Sequence, residues 1–233
     1  MRATRIAPLG LAALCLAPTA LTGQAVFEGT VSYQLTAEGM TMNMTQMTKG
    51  SKVRTEMEIP GMPGPMFILM DMEEQVVRTV MPGMGMYMEI NVKEMVDQVP
   101  MTPEMRQNAA KTPDIERLGT SDQIAGISCQ NYRITQGSQQ IDACIATGMG
   151  VFMGGASGGP PGRGGPLDGL GVDLSAFMEE FKDGMMPLRI RINQEGTWTT
   201  VLEATAVERK RLDDSLFVVP AGLRKMNVPG GLY

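Results

Sequence analysis

The sequence predicts a mainly β fold, a β-rich α+β domain built on one meandering antiparallel sheet. Three features carry that expectation. Runs of residues alternate between apolar and polar, short turn-forming links separate them, and only two stretches show helical signals.

The first alternating run is FEGTVSYQL (27–35), with Phe27, Val31, Tyr33 and Leu35 on one side and Glu28, Thr30, Ser32 and Gln34 on the other. In MTMNMTQM (40–47), Met40, Met42 and Met44 share a side and face away from Thr41, Asn43 and Thr45, while Met47 has the opposite parity. VRTEMEI (53–59) sets Val53, Met57 and Ile59 against Arg54, Glu56 and Glu58. MFILMDM, VVRTVM and MYMEINV follow, linked by EEQ and PGMG, and Met86 and Met88 share a side in the last of them. SCQNYRI and QQIDACIA form a hairpin, as do MPLRIRIN and TWTTVLEATAVERKRL around QEG. At least nine strands joined by short turns describe an antiparallel meander.

Two helices are expected. Thr102-Pro103 is a capping hydroxyl followed by proline at the first helical position, and Pro113 limits that helix to about Lys111. In DLSAFMEEFKDG, Leu174, Phe177, Met178 and Phe181 fall at i, i+3, i+4 and i+7, and Gly184 ends the helix. Between the elements, residues 148–171 hold 11 glycines in 24 positions, which predicts a flexible loop over a sheet edge or pocket mouth.

Residues 1–25 have the pattern of a secretory signal: Arg2 and Arg5, the apolar run IAPLGLAALCLAP, then Gly23-Gln24-Ala25. Cleavage near Ala25 leaves a single domain over 26–233 in the periplasm or cell envelope. The apolar run is too short for a comfortable span of roughly 20 residues, so no transmembrane segment is expected in the mature chain. Leu14 precedes Cys15 where a lipid-attachment signal needs a small residue. The whole chain carries a net charge of −5, and Glu208-Arg209-Lys210-Arg211 is its only basic run. That balance argues against nucleic acid, whose binding requires phosphate neutralisation.

Removal of the signal also removes Cys15, leaving Cys129 and Cys144, and two cysteines in an exported chain predict one disulfide. A hairpin centred between Gln136 and Gly137, with a loop from Thr135 to Ser138, sets the two cysteines directly opposite at a non-hydrogen-bonded site.

Nothing marks an enzyme or calls for a cofactor. Gly155-Ala156-Ser157-Gly158-Gly159 matches a nucleophile-elbow pattern, but the chain has no histidine to serve as base and no strand abutting that point. The acidic pairs Glu73-Glu74, Glu179-Glu180 and Asp213-Asp214 fall in turns or on a polar helix face. The anomaly is methionine: 23 in the chain, sixteen of them from Met40 to Met105. Thioethers select Cu(I), yet same-face residues along a strand are about 6.6–6.8 Å apart, so one strand alone does not gather them at a point. Methionine is also the adaptable filler of apolar surfaces.

Several segments together resemble an uncharacterised bacterial envelope family related to the lipoprotein-carrier superfamily of LolA, LolB and LppX. They are FEGTVSYQL, TKGSKVRTEMEI, ILMDMEEQVVRTV leading to MYMEI, IAGISCQNYRI, the hairpin PLRIRI to ATAVERKRL, and LDDSLFVVPAGL. The resemblance implies a strongly curved sheet, a half-open barrel with two or three short helices on its concave side, and a hollow that receives acyl chains. It brings no catalytic residues.

Three functions follow as expectations. The first is a carrier holding an apolar small molecule or lipid, with an envelope protein as a further partner. Its hollow would be lined by Val31, Tyr33, Leu35, Met40, Met42, Met44, Met57, Met86 and Met88 and closed by Phe177 and Phe181. The second is a Cu(I)/Ag(I) binder using Met40, Met42, Met44 and Met47. The third is a structural envelope protein whose core is filled by its own side chains. Phe217 is expected to anchor the C-terminal end.

Overall fold

A computed structural model describes residues 27–37, 39–58, 61–91, 114–136, 139–152 and 184–226. Twelve strands are present in it: β1 (Glu28–Ala37), β2 (Met40–Lys49), β3 (Lys52–Met57), β4 (Met66–Asp71), β5 (Val76–Met81), β6 (Met86–Asn91), β7 (Asp114–Ile124), β8 (Ile127–Gln136), β9 (Gln139–Thr147), β10 (Met185–Gln194), β11 (Thr197–Arg209) and β12 (Arg224–Met226). They form one open, curved sheet in the order β12-β6-β5-β4-β3-β2-β1-β11-β10-β9-β8-β7. Every pair is antiparallel except β12 with β6. The half-open β architecture expected from the sequence is the one observed.

Tight turns set much of the register. Between β10 and β11 the two turn residues, Glu195 and Gly196, have φ of 51° and 90°. That doubly left-handed geometry follows the right-handed twist of the strands it joins, and glycine adopts it without a Cβ clash. With the register fixed, alternation assigns each side chain to a face. The inner face carries the main core: Val31, Tyr33 and Leu35 of β1 lie beside Leu202 and Ala204 of β11, and Ile190 and Ile192 of β10 beside Ala143 and Ile141 of β9, all buried. The outer face of β8–β11 is polar. There Arg133 makes two hydrogen bonds to Asp142, at 2.8 and 2.9 Å, and Arg133 and Arg191 both approach the Trp198 ring.

The chain beyond β11 straps the outer face of the other half. The Leu212 amide donates to Glu28 Oε1 at 2.7 Å, and Lys49 Nζ donates to the Leu212 carbonyl at 2.7 Å. Asp213 caps a single 3-10 turn (Asp214–Phe217) by accepting from the Ser215 amide. Arg54 reaches from β3 to the Leu216 carbonyl at 2.8 Å while its guanidinium sits 3.6 Å over the Phe67 ring. Phe217 is buried, as its expected role as an anchor requires. Val219 and Leu223 then pack on Phe67, Leu69 and Val80, and β12 joins the edge of β6.

Two expectations are corrected, two lie on residues not described, and two strands were not expected. The helix expected over Thr102–Lys111, and residues 173–183 of the second, lie outside the described residues. Among the described residues the helical elements are two single 3-10 turns, Pro82–Met84 between β5 and β6 and Asp214–Phe217 on the outer face, so no helix is seen on the concave side. The disulfide joins Cys129 and Cys144, with Cα atoms 5.3 Å apart, but the two do not pair directly. The register pairs Gln136 with Gln139 and Asn131 with Cys144, so only two residues separate the strands instead of four, and Cys129 sits diagonally across. Finally, β7 and β12 were not expected as strands. β7 lacks sustained alternation and changes register between Arg117 and Ser121, and β12 is only three residues long.

Two outcomes follow. The disulfide closes a loop of 15 residues, so Cys129→Ala/Cys144→Ala is expected to lower stability by about 3 kcal/mol, read from urea unfolding of the two proteins. Glu89 accepts from Lys225 and from Arg78, both at 2.7 Å, and these bonds hold its carboxyl below the usual carboxylate value. A depressed pKa adds stability above the unfolded value, and that stability is lost as pH falls through the folded value. Glu89→Gln is therefore expected to reduce the drop in urea midpoint below about pH 4.5, and an unchanged acid slope would exclude this pairing as a source of stability.

Candidate functional site: a methionine-lined inner face

On the inner face, the pairings of β2–β6 bring methionines from separate strands into one row. Met44 pairs with Met57, Met57 with Met66, and Met81 with Met86. Met66 and Met81 each lie one residue beyond the Phe67–Val80 pair that ends the β4–β5 ladder, so the methionines of five strands fall in one row. The next row reads Gln46, Thr55, Ile68, Thr79, Met88 and Met226, and the third Thr48, Val53, Met70, Val77 and Ile90.

Burial is graded along the first row. Met44 and Met57 are buried in the core, whereas Met66, Met81 and Met86 are half-buried, as is Met88 in the second row. Met42 is half-buried, and Met40, beside the β1–β2 turn, is 55 % exposed.

These positions decide which expected site residues come together. Met40, Met42, Met44, Met57, Met86 and Met88 share the inner face with Val31, Tyr33 and Leu35. Met47 does not: it pairs with Thr30 and Arg54 on the outer face. The set Met40, Met42, Met44 and Met47 therefore does not converge on one point. The physical reason is the period of two, which turns any i+3 neighbour to the other face. Phe177 and Phe181 lie outside the described residues. Among the described residues, no group of three or more His, Cys, Asp and Glu side chains is placed to hold a metal ion.

The near end of the face is filled by the protein itself. Residues 148–152, the start of the glycine-rich segment, press onto β1 and β2, with Met149 and Phe152 buried. Gly150 permits the approach: its φ is 82°, and a Cβ there would lie 2.8 Å from Thr48 Cγ2. Gln46 donates to the Val151 carbonyl at 2.8 Å and to Thr48 Oγ1 at 3.3 Å. The Phe152 ring meets Tyr33 edge-on, 5.5 Å between centroids. Sequence reasoning missed this polar layer of Gln46, Thr48, Thr55 and Thr79, because alternation marks a face without saying that polar residues continue along it.

Two hydroxyls on this face, Tyr33 Oη and Thr55 Oγ1, are buried without a hydrogen-bond partner among the described residues. Burial pushes the Tyr33 phenol well above its usual pKa, so it remains protonated. At the opposite end, Met42 and Met62 join Thr41, Asn43, Glu58, Gly64 and Pro65 around an open cleft of about 450 Å³.

A family model described as a domain of unknown function (DUF4412) matches residues 27–223. The chain belongs to that family. No curated protein matches this DUF4412 chain. Among solved structures it is similar to an uncharacterised conserved protein from Thermus thermophilus, with 12 % identity, a TM-score of 0.47, and coverage of 87 % of this chain and 91 % of the other. It is also similar to PNGF-II, with 17 % identity, a TM-score of 0.44 and coverage of 86 % and 31 % respectively. A third similar structure is MucB from the Pseudomonas aeruginosa MucA/MucB complex, with 12 % identity, a TM-score of 0.42 and coverage of 87 % and 58 %. The DUF4412 chain thus spans about a third of PNGF-II and somewhat over half of MucB.

The Tyr33 hydroxyl, without a hydrogen-bond partner among the described residues, gives a direct test of this geometry. An unsatisfied buried hydroxyl costs about 1–3 kcal/mol, so Tyr33→Phe is expected to raise stability in urea unfolding. A loss of stability would mean that the phenol has a partner in solution.

Proposed function

We propose that this protein is an exported, non-enzymatic binding protein that holds an apolar ligand against the methionine-lined inner face of β3–β6. The ligand class is an acyl chain, a lipid or a lipidated segment of another envelope protein. The observation that carries this reading is the cross-strand row from Met44 to Met86, buried at one end and half-buried at the other.

Unbranched thioether side chains adapt to varied apolar shapes better than β-branched ones. The filled half, β1 and β8–β11, provides a rigid back to the site, and the strap keeps the outer face of β3–β6 out of contention. Binding would be burial of apolar surface, at about 25 cal/mol per Å², with no bond chemistry. The disulfide supports export, since such bonds persist in oxidising compartments. In this reading the segment before Val26 is the cleaved signal.

The test uses the mature chain, purified from the envelope without a histidine tag. Native mass spectra recorded before and after organic extraction are expected to show a lipid mass that extraction removes. The extracted protein should reload from phosphatidylethanolamine vesicles. Met86→Lys should cut reloading by more than about tenfold, because an unpaired ammonium against hydrocarbon costs several kcal/mol. A chain that is bare on purification and does not load would leave the filled-core structural role in its place.

A further inference from the structure

We propose that Met66, Met81 and Met86 form a site for a soft monovalent cation, Cu(I) or Ag(I), at the half-buried end of the methionine row. The geometry differs from that of a single-strand methionine motif. Same-face neighbours along one strand are about 6.6–6.8 Å apart, whereas neighbours across strands are about 4.8 Å apart. Three consecutive members of a cross-strand row therefore bring their thioethers within reach of one ion, each on an unbranched side chain with three rotatable bonds.

The pairings place these residues on β4, β5 and β6 in succession. The link between Met81 and Met86 is short and internally bonded: the Gly85 amide donates to the Pro82 carbonyl at 2.9 Å, and Pro82–Met84 forms one 3-10 turn. Only a hydrogen fits at Gly83, where a Cβ would overlap the Pro63 carbonyl oxygen, so this turn is held against the loop before β4. Two of the three ligands thus have a fixed spacing before any ion arrives.

The row continues onto β12 with the exposed Arg224 opposite Met86. The inner-face positions of the next row on β4–β6 are Ile68, Thr79 and Met88. The nearby carboxylates Glu56 and Glu89 belong to the outer face, where they bind Arg54 and Arg78. Those inner-face positions carry no carboxylate, the nearest other one being Glu58 at the cleft beside Pro65, while neutral thioethers suit Cu(I) and Ag(I). Cys129 and Cys144 are bonded to each other, so neither offers a competing thiolate. Access separates these three from Met44 and Met57, which are buried in the core.

The titration uses the lipid-extracted chain, so silver retention is read independently of apolar-ligand loading. The mature, disulfide-bonded chain is titrated with Ag(I) in the presence of excess free methionine and followed by native mass spectrometry. The wild-type chain is expected to retain a single Ag(I). Met66→Leu/Met81→Leu/Met86→Leu should lose it while keeping the unfolding midpoint, and Met40→Leu/Met47→Leu should retain it. X-ray absorption of the Cu(I)-loaded chain should show sulfur as the sole nearest scatterer. Silver retained by the triple variant, silver lost equally from the Met40/Met47 variant, or oxygen or nitrogen scatterers at copper would each overturn the site.

Discussion

A sheet whose strands pair continuously from β12 to β7 has two faces and two edges, and water must be kept from the apolar parts of each. The strap from Leu212 to Met226 settles this for the half that carries the methionines. It crosses the outer face of β1–β6 through the Leu212, Leu216 and Arg224 backbone contacts and buries Phe67, Leu69 and Val80. The same segment then closes one edge as β12, placing exposed Arg224 and Lys225 at the end of the sheet. At the other end β7 is an edge strand with a register shift and exposed Asp114, Glu116 and Arg117. Charge and irregularity at both edges discourage strand-to-strand aggregation. With the outer face and the edges so occupied, the inner face of β3–β6 is left as the surface whose chemistry is unusual.

The choice of methionine there has a cost and a use. Valine or isoleucine would fill the same positions with fewer rotamers and higher β-propensity. The core farther along the sheet does use them, at Ile134, Ile141, Ile190, Ile192 and Val201. The contrast between a branched, buried half and a thioether-rich, half-buried half divides one continuous sheet into a rigid body and a compliant surface. The polar layer of Gln46, Thr48 and Thr55, with Val151 bonded to Gln46, lies at the junction of the two.

Much of this was legible from the sequence because a period of two is a strong signal. The runs at 27–35, 40–47 and 53–59 assigned Tyr33, Met44 and Met57 to a single face, and the pairings keep them there. What alternation did not supply is which strands are neighbours. The row from Met44 to Met86 arises from five strands at once, and no single segment contains it. The β8–β9 hairpin illustrates the limit: the cysteines found one another, but the register places Cys144 opposite Asn131. Residues 148–152 were invisible for a different reason. Glycine-rich composition says how freely a segment moves, yet Gly150 is there because Thr48 leaves no room for a side chain.

The strand order also bears on how the molecule assembles. Strands β1 to β6 are successive neighbours, and so are β7 to β11, so each half is a local meander. They meet at one seam, where β1 pairs with β11 and Val31 lies opposite Val207. Closing that seam joins the beginning of the domain to nearly its end, which makes it the slowest kind of contact to form. Until it closes, the earlier half is exposed along β1 and still lacks its strap, because both remedies come from residues 197–226. The sheet is therefore completed only after residue 226 is present, and a chain lacking that part is in the state most in need of a chaperone.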